Sequence, residues 1–243
     1  MYKPTVNLGL FFNQTCSLCL QYPQARAGLC HRCLADMPRI APACRRCALP
    51  LEGSDGLICG RCQKRPPPFD RTFAAFAYRF PLSQLIPLIK YHGQTGHLGW
   101  LADSLACALQ DNTDDLSHEP SQALPQVLIP TPLAPSRLRR RGYNQAALLA
   151  GRLGRDLGIP TDLRSLTKPK ETAHQMELKG EARRRNLRGA FSWSGPTYDH
   201  VALIDDVMTT GTTVSEISRL LKKSGVGRVE IWVLARTPSP GDH

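Results

Sequence analysis

The chain has 243 residues, enough for one sizeable domain and a smaller one. Its hydrophobic share is 42%, as in globular proteins, and no apolar run approaches the roughly 18 residues that span a bilayer, which excludes a membrane-spanning class. The formal net charge of +11 favours polyanionic ligands such as phosphates or nucleic acid. The apolar patch at residues 6–12 is too short for a secretion signal, so we expect a cytoplasmic protein.

Nine cysteines without a secretion signal favour metal ligation over disulfides. Eight of them form four Cys-x-x-Cys pairs, with ten, ten and eleven residues between successive pairs. These eight are Cys16, Cys19, Cys30, Cys33, Cys44, Cys47, Cys59 and Cys62. Two thiolates at this spacing reach one tetrahedral Zn²⁺, and two pairs complete its four ligands. We therefore predict two structural zinc sites. Sequential pairing is the simplest arrangement, and the spacing also allows an interleaved one.

The cysteine-rich segment has few large apolar residues, so bound metal must supply much of its stability. Pro66-Pro67-Pro68 is a stiff break directly after it. We therefore predict a double zinc-ribbon module at residues 1–66 and a larger domain at residues 67–243. Basic side chains crowd the module, and contact with nucleic acid and simple solubility explain them equally well.

Strand and helix patterns alternate through the larger domain. Strands are predicted at residues 73–78, 127–129, 162–166, 201–204 and 229–234. Helices are predicted at residues 82–91, 98–109, 144–157 and 213–223, and a polar loop at residues 111–126. This alternation indicates an α/β fold with a parallel sheet, whose ligands bind at the carboxyl ends of the strands.

An arginine-rich segment follows the second predicted strand, at residues 130–145. Because the planar guanidinium matches phosphate oxygens, this segment suits a pyrophosphate. A solvated basic loop is the alternative interpretation. The candidate contacts are Thr131, Pro132, Leu133, Ala134, Arg137 and Arg141.

A second basic segment covers residues 167–191 and is poor in apolar side chains until its end. It could close over a polyphosphate, with Lys168 or Arg184 facing the departing charge. Alternatively, it is a basic tract that grips a nucleic-acid backbone. The sequence does not separate the two interpretations.

Residues 201–213 combine a buried strand, an acidic pair and a threonine-rich turn before a helix. The turn can point N–H groups, hydroxyls and a helix N-terminus at a phosphate. The carboxylates suit a vicinal diol or a divalent cation, so a ribose 5-phosphate satisfies both halves. The residues concerned are Asp205, Asp206, Val207, Met208, Thr209, Thr210, Gly211, Thr212 and Thr213.

This segment resembles the phosphoribosyl pyrophosphate (PRPP) motif of type I phosphoribosyltransferases. The resemblance implies that Asp205 and Asp206 face the ribose hydroxyls and an associated Mg²⁺, and that residues 209–213 surround the 5-phosphate. It also implies a type I phosphoribosyltransferase fold, a parallel sheet flanked by helices, behind the small zinc-ribbon domain. Residues 130–136 then correspond to the pyrophosphate loop and residues 167–190 to the flexible loop.

The whole chain resembles the ComF family of bacterial DNA utilisation proteins. The resemblance rests on the four Cys-x-x-Cys pairs, Pro66 to Asp70, Arg141 to Gln145 and the motif at residues 205–213. It implies a role in the uptake or use of external DNA, with single-stranded DNA as the nucleic-acid partner.

Three hypotheses follow. The chain is an Mg²⁺-dependent phosphoribosyltransferase with an unknown acceptor, or a single-stranded DNA-binding accessory protein whose phosphoribosyl site is a sensor or relic. The third hypothesis is a scaffold for the competence machinery. We favour a phosphoribosyltransferase-like protein that acts in DNA utilisation.

Overall fold

The computed structural model describes residues 15–23, 26, 28–40, 42–51, 58–114, 123–170 and 187–238. Within these residues a parallel sheet of four strands forms the centre, in the order β1-β6-β5-β2. Its strands are β1 (Arg71–Ala77), β2 (Val127–Pro130), β5 (His200–Met208) and β6 (Arg228–Arg236). Between β2 and β5 in the chain, β3 (Leu166–Thr167) and β4 (Ser192–Trp193) form a small antiparallel ribbon.

Helices cover both faces of the sheet. They are α1 (His31–Ala35), α2 (Gly60–Lys64), α3 (Leu82–His92), α4 (His97–Asp114), α5 (Pro135–Arg141), α6 (Gln145–Leu157) and α7 (Thr212–Lys223). The predicted ends of α6 agree with its caps, since the Asn144 side chain accepts a hydrogen bond from the N–H of Ala146 and Gly158 ends the helix in a left-handed conformation.

The sheet separates two hydrophobic cores, and β5 contributes to both. Ala202 and Ile204 belong to the core with α3, α4 and α6, whereas Val201 and Leu203 belong to the core with α7. Successive strand residues point to opposite faces, so a strand covered on both sides must be apolar at every position. This is the physical reason for the continuous apolar run in the sequence.

The cysteine-rich segment packs against both faces and along one sheet edge. Its first half joins the core of α3, α4 and α6, and its second half joins the core of α7. The outer edge of β1 bonds to the same segment, because Ala77 N–H donates to Pro38 O (2.7 Å) and Thr72 N–H donates to Arg45 O (3.0 Å). The β1 edge is therefore not left open.

Helix α5 was not among the predicted elements. The segment read as a loop because its single apolar residue, Leu138, gives no helical periodicity. The helix forms because Pro135 occupies its first turn and Gly142 ends it in a left-handed conformation.

Two other predictions need correction. The strand predicted at residues 162–166 is reduced to Leu166–Thr167, because the Asp162 carboxylate accepts the N–H groups of Arg164 and Ser165 and forms a turn. The loop predicted at residues 111–126 begins later, since α4 continues to Asp114; residues 115–122 lie outside the described chain.

A buried polar cluster lies where β5 and β6 begin. The Glu230 carboxylate is 6% exposed and accepts hydrogen bonds from Arg228 (2.6 Å) and Trp232 (2.9 Å), with His200 Nε2 at 3.5 Å. Burial acts to raise the pKa of Glu230, but the contacts with His200, Trp232 and Arg228 outweigh it and lower the pKa to about 2.

We predict that Glu230 makes the protein acid-sensitive. Its stabilisation is complete above the unfolded-state pKa of about 4.3 and is lost as the pH falls towards 2, which corresponds to roughly 2–3 kcal/mol. Urea unfolding between pH 6 and pH 2.5 should show a steeper loss for the wild type than for Glu230→Gln. Zinc loss at low pH affects both proteins, so their difference isolates Glu230. Asp36→Asn, at an exposed carboxylate, should follow the wild type; equal slopes for all three proteins would contradict the prediction.

Candidate functional site

A pocket of about 500 Å³ lies at the carboxyl ends of the sheet strands. Segments that are far apart in sequence meet there: the ends of β1 and β5, the loop before α7, the turn after β2, and helices α3 and α5. Of the residues predicted to contact ribose, phosphate or pyrophosphate in the described chain, all line this pocket except Thr210. Arg184 lies outside the described residues.

The two carboxylates lie within β5, which continues beyond the predicted strand to Met208. Asp206 is 4% exposed; its Oδ1 accepts the N–H of Val207 (2.7 Å) and its Oδ2 lies 2.9 Å from Lys90 Nζ. Asp205 is half-buried, and its Oδ1 accepts the N–H of Asp206 (2.9 Å). The strand thus brings two acids to the boundary between the core and the pocket.

This crowding shifts the pKa values of Asp205 and Lys90. Burial, together with the neighbouring Asp206 charge, raises the pKa of Asp205 to about 7, although Lys90 opposes the shift. Burial acts to lower the pKa of Lys90, but the charge and hydrogen bond of Asp206 outweigh it and raise that pKa. Near neutral pH an added cation or hydroxyl donor would therefore stabilise the charged form of the acidic pair.

The threonine-rich turn closes the pocket above the acids. Gly211 precedes the first turn of α7 with φ +74°, a left-handed conformation that strains side chains other than glycine. The hydroxyls of Thr210 and Thr212 lie 2.7 Å apart. The N-terminus of α7, a helix of 12 residues, begins in this wall of the pocket, and such a terminus favours anions.

The opposite wall is formed by residues 131–134 and α5. The Asn144 side chain donates to the Thr131 carbonyl (3.0 Å) and fixes the turn after β2. Arg137 and Arg141 are one helical turn apart and both line the pocket, whereas Arg139 and Arg140 are exposed. Helix α5 therefore has one arginine pair at the pocket and one in solvent.

Lys168 reaches the pocket from the residue after β3. It is 6% exposed, and its ammonium lies 5.5 Å from the centroid of the Phe191 ring. The second basic segment thus contributes one cation to the pocket within its described part.

Sequence reasoning missed several residues that line the pocket. They are Tyr78, Pro87, Lys90, Tyr91, Gln145 and Val214. The signal for Lys90 was present, because it is the one lysine in a helix whose other long side chains are mostly apolar. The partner of such a lysine, here Asp206, cannot be read from a sequence separation of more than a hundred residues.

The cysteines form two sets of four, each with its Sγ atoms within 4.8 Å of one another. One set is Cys16, Cys19, Cys30 and Cys33, and the other is Cys44, Cys47, Cys59 and Cys62. Pairing is therefore sequential. A tetrahedron with Zn–S bonds of about 2.3 Å has edges of about 3.8 Å. The Cys19–Cys30 and Cys47–Cys59 sulfur separations of 3.9 and 3.7 Å fit this geometry.

The surroundings of the sulfurs also suit a metal. The N–H of Cys59 points at the Cys44 sulfur (3.3 Å) and the N–H of Leu18 at the Cys16 sulfur (3.5 Å). Burial acts to raise the pKa of Cys16, but backbone N–H groups outweigh it and lower the pKa to about 6. Thiolates are the form that binds zinc, so the donor sets fit two structural Zn²⁺ ions.

In the described part of the chain, none of the helices has the length and apolar character needed to cross a membrane.

A family model described as a double zinc ribbon domain matches residues 7–63. The chain is 38% identical over 231 residues to competence protein F of Haemophilus influenzae, covering 93% of this chain and 98% of that protein. It is 35% identical over 211 residues to DNA utilization protein YhgH of Salmonella typhi, covering 86% and 91% respectively.

Among solved structures, a purine phosphoribosyltransferase from Pyrococcus horikoshii matches with 19% identity, a TM-score of 0.32, and coverage of 57% of this chain and 83% of that chain. A TM-score of this size establishes no further detail.

The fold and the cysteine sites define an α/β protein with a parallel sheet, flanking helices and an N-terminal double zinc ribbon. The chain belongs to the ComF family, together with competence protein F and the DNA utilization protein YhgH. The predicted fold class, the two four-cysteine sites and the family resemblance are therefore confirmed. The roles of the pocket residues and the domain boundary after residue 66 stay predictions.

We predict that Lys90→Met destabilises the protein by about 1–3 kcal/mol, because it leaves the Asp206 carboxylate buried without its counter-ion. The pKa of Asp205 should also rise above about 7, since the cation that lowers it is removed. Chemical unfolding and carbon-detected NMR titration of the carboxyl groups measure the two effects.

Arg152→Met is the matched control for Lys90→Met. Arg152 pairs with Asp103 at 2.9 Å, but its side chain is 43% exposed, so the loss should be only about 0.2–1 kcal/mol. Equal losses in the two variants, or an unchanged Asp205 titration in Lys90→Met, would show that the Lys90–Asp206 pair does not control the acids.

Proposed function

We propose that this chain binds PRPP or ribose 5-phosphate together with Mg²⁺, and acts as a phosphoribosyltransferase-like protein in DNA uptake or utilisation. The observation that carries the proposal is that the acidic pair of β5 and the threonine loop before α7 line one pocket. Each half suits one end of a phosphorylated ribose, carboxylates for the diol and N–H groups and hydroxyls for the phosphate.

The opposite wall suits the pyrophosphate group. Leu133 and Pro135 occupy positions where small residues would expose backbone amides, so we infer that Arg137 and Arg141 make the main contacts. Lys168 adds a third cation to the same pocket. These side chains hold the pyrophosphate in place and neutralise its charge as it departs.

Transfer breaks the bond between C1 of the ribose and the pyrophosphate oxygen, and the acceptor takes its place at C1. Asp205 and Asp206 orient the ribose through its hydroxyls. Asp205 and Asp206 would also hold Mg²⁺, which would supply additional charge neutralisation. The elevated pKa of Asp205 favours the proposal. Burial and the Asp206 charge destabilise its ionised form, and a bound cation would stabilise that form.

We predict that isothermal titration with PRPP and Mg²⁺ detects one site per chain, and that Asp205→Asn with Asp206→Asn lowers its affinity at least 30-fold. Thr213→Val should lower the affinity by a smaller factor without disturbing the Lys90–Asp206 pair. Thr197→Val, at an exposed threonine that does not line the pocket, is the control. Unchanged affinity in the double variant would refute the proposal, provided circular dichroism shows that it folds.

Single-stranded DNA binding is a second candidate function, and the outer face of α5 favours it. Arg139 and Arg140 are exposed there and add to the net charge of +11. Because Arg137 and Arg141 on the same helix line the pocket, a strand bound along α5 would lie beside the pocket mouth.

We predict that single-strand affinity falls steeply with salt, and that Arg139→Gln with Arg140→Gln reduces the log–log slope by about 1.4, roughly 0.7 per lost phosphate contact. Fluorescence anisotropy with a labelled oligonucleotide between 50 and 300 mM salt measures the slope. Arg155 is exposed in the last turn of α6, and Arg155→Gln should keep the wild-type slope. A flat salt response would exclude this function.

A further inference from the structure

Arg236 ends β6 with a buried guanidinium, 3% exposed, that bonds only to backbone carbonyls among its described contacts. Its Nε donates to the carbonyl of Cys47 at 2.8 Å. Its Nη1 donates to the carbonyls of Met208 (2.9 Å), Thr209 and Thr237 (2.6 Å). One rigid side chain therefore joins three separate segments.

Two of those segments belong to different sites. Cys47 is a ligand in the second four-cysteine set, so the carbonyl that Arg236 contacts belongs to the same residue as a metal-binding sulfur. Met208 and Thr209 lead from β5 into the threonine loop that lines the pocket. Arg236 thus lies directly between a metal site and the proposed phosphate site.

The charges favour this arrangement. A buried guanidinium needs compensation, and four thiolates around one Zn²⁺ carry a net charge of about −2. With zinc bound, the knuckle supplies both a fixed carbonyl and negative charge to the same side chain.

The first zinc site has a different environment. Its cysteines belong to the core of α3, α4 and α6, on the opposite face of the sheet from α7. It approaches α4 closely at Gly28, where a Cβ would lie 2.8 Å from the Trp100 Cβ. The two sites have the same kind of ligands but contact different parts of the protein, so each is a matched control for the other.

We propose that Arg236 is a positioning residue that couples occupancy of the second zinc site to the conformation of the threonine loop. The inference deepens the proposed function, since it assigns a means of regulation to the same phosphate site. When zinc leaves the Cys44–Cys62 set, the Cys47 carbonyl becomes mobile and no longer fixes the Arg236 side chain. The threonine loop then no longer holds its N–H and hydroxyl donors in the positions that bind phosphate. By thermodynamic reciprocity, a ligand on the loop tightens zinc binding at the second site.

The first test is hydrogen–deuterium exchange of the full-length protein without ligand. Arg236→Lys removes the forked contact but keeps the charge, and Cys59→Ser disables the second zinc site. Both should speed exchange in residues 208–213 at least tenfold. Cys19→Ser, the equivalent change in the first site, should leave that loop within a factor of two of the wild type. Elemental analysis should find one zinc in each cysteine variant and two in the wild type.

The second test measures ligand linkage. PRPP with Mg²⁺ should bind at least tenfold more weakly to Arg236→Lys and Cys59→Ser than to Cys19→Ser. In the wild type, PRPP should raise the concentration of a coloured chelator needed at equilibrium to remove one of the two zinc ions, and leave that needed for the other unchanged.

The outcomes separate the two proposals. A wild type that does not bind PRPP contradicts the proposed function, while the ligand-free exchange data still decide the coupling. Equal loop exchange in Cys19→Ser and Cys59→Ser, or wild-type exchange in Arg236→Lys, overturns the coupling even if PRPP binds. Should Cys59→Ser unfold, partial removal of zinc with a chelator replaces it. Zinc removal should speed loop exchange in the wild type and change it little in Arg236→Lys, and equal responses would overturn the coupling.

Discussion

The ion pair between Lys90 and Asp206 is the interaction on which the pocket depends. Strand β5 is apolar on both faces and then places two carboxylates at the edge of the core, where an unpaired charge is costly. Lys90 reaches the second acid from α3 and pairs with it at 2.9 Å. Burial and the charge of that second acid raise the pKa of the first to about 7. An acidic site open to cations and hydroxyls results.

The zinc ribbons contribute to the architecture on both sides of the sheet. Each four-cysteine set joins a different hydrophobic core, so the segment straddles the sheet and does not form a separate lobe. Arg236 connects the second set to the strand that carries the acids, and this gives a small metal module direct contact with the proposed binding loop. Local stability and site geometry are therefore linked through backbone carbonyls.

Local patterns in the sequence predicted much of this molecule. Cysteine spacing indicated the metal sites, and the order of strand, acids, glycine and helix indicated the pocket floor, because each signal lies within a few residues. Lys90 and Arg236 escaped detection because their partners are distant in the chain and a lone basic residue at an element end usually faces solvent. Helix α5 was missed because its formation depends on Pro135 and Gly142 and not on an apolar stripe.

The backbone bonds from Pro38 and Arg45 to β1 have a consequence for the design of shortened proteins. Removing the ribbons would uncover the outer edge of β1 and present a row of unsatisfied N–H and C=O groups on a mostly apolar strand. Such a fragment would template strand addition between molecules and self-associate. The metal module therefore covers the strand edge through which a second molecule would pair.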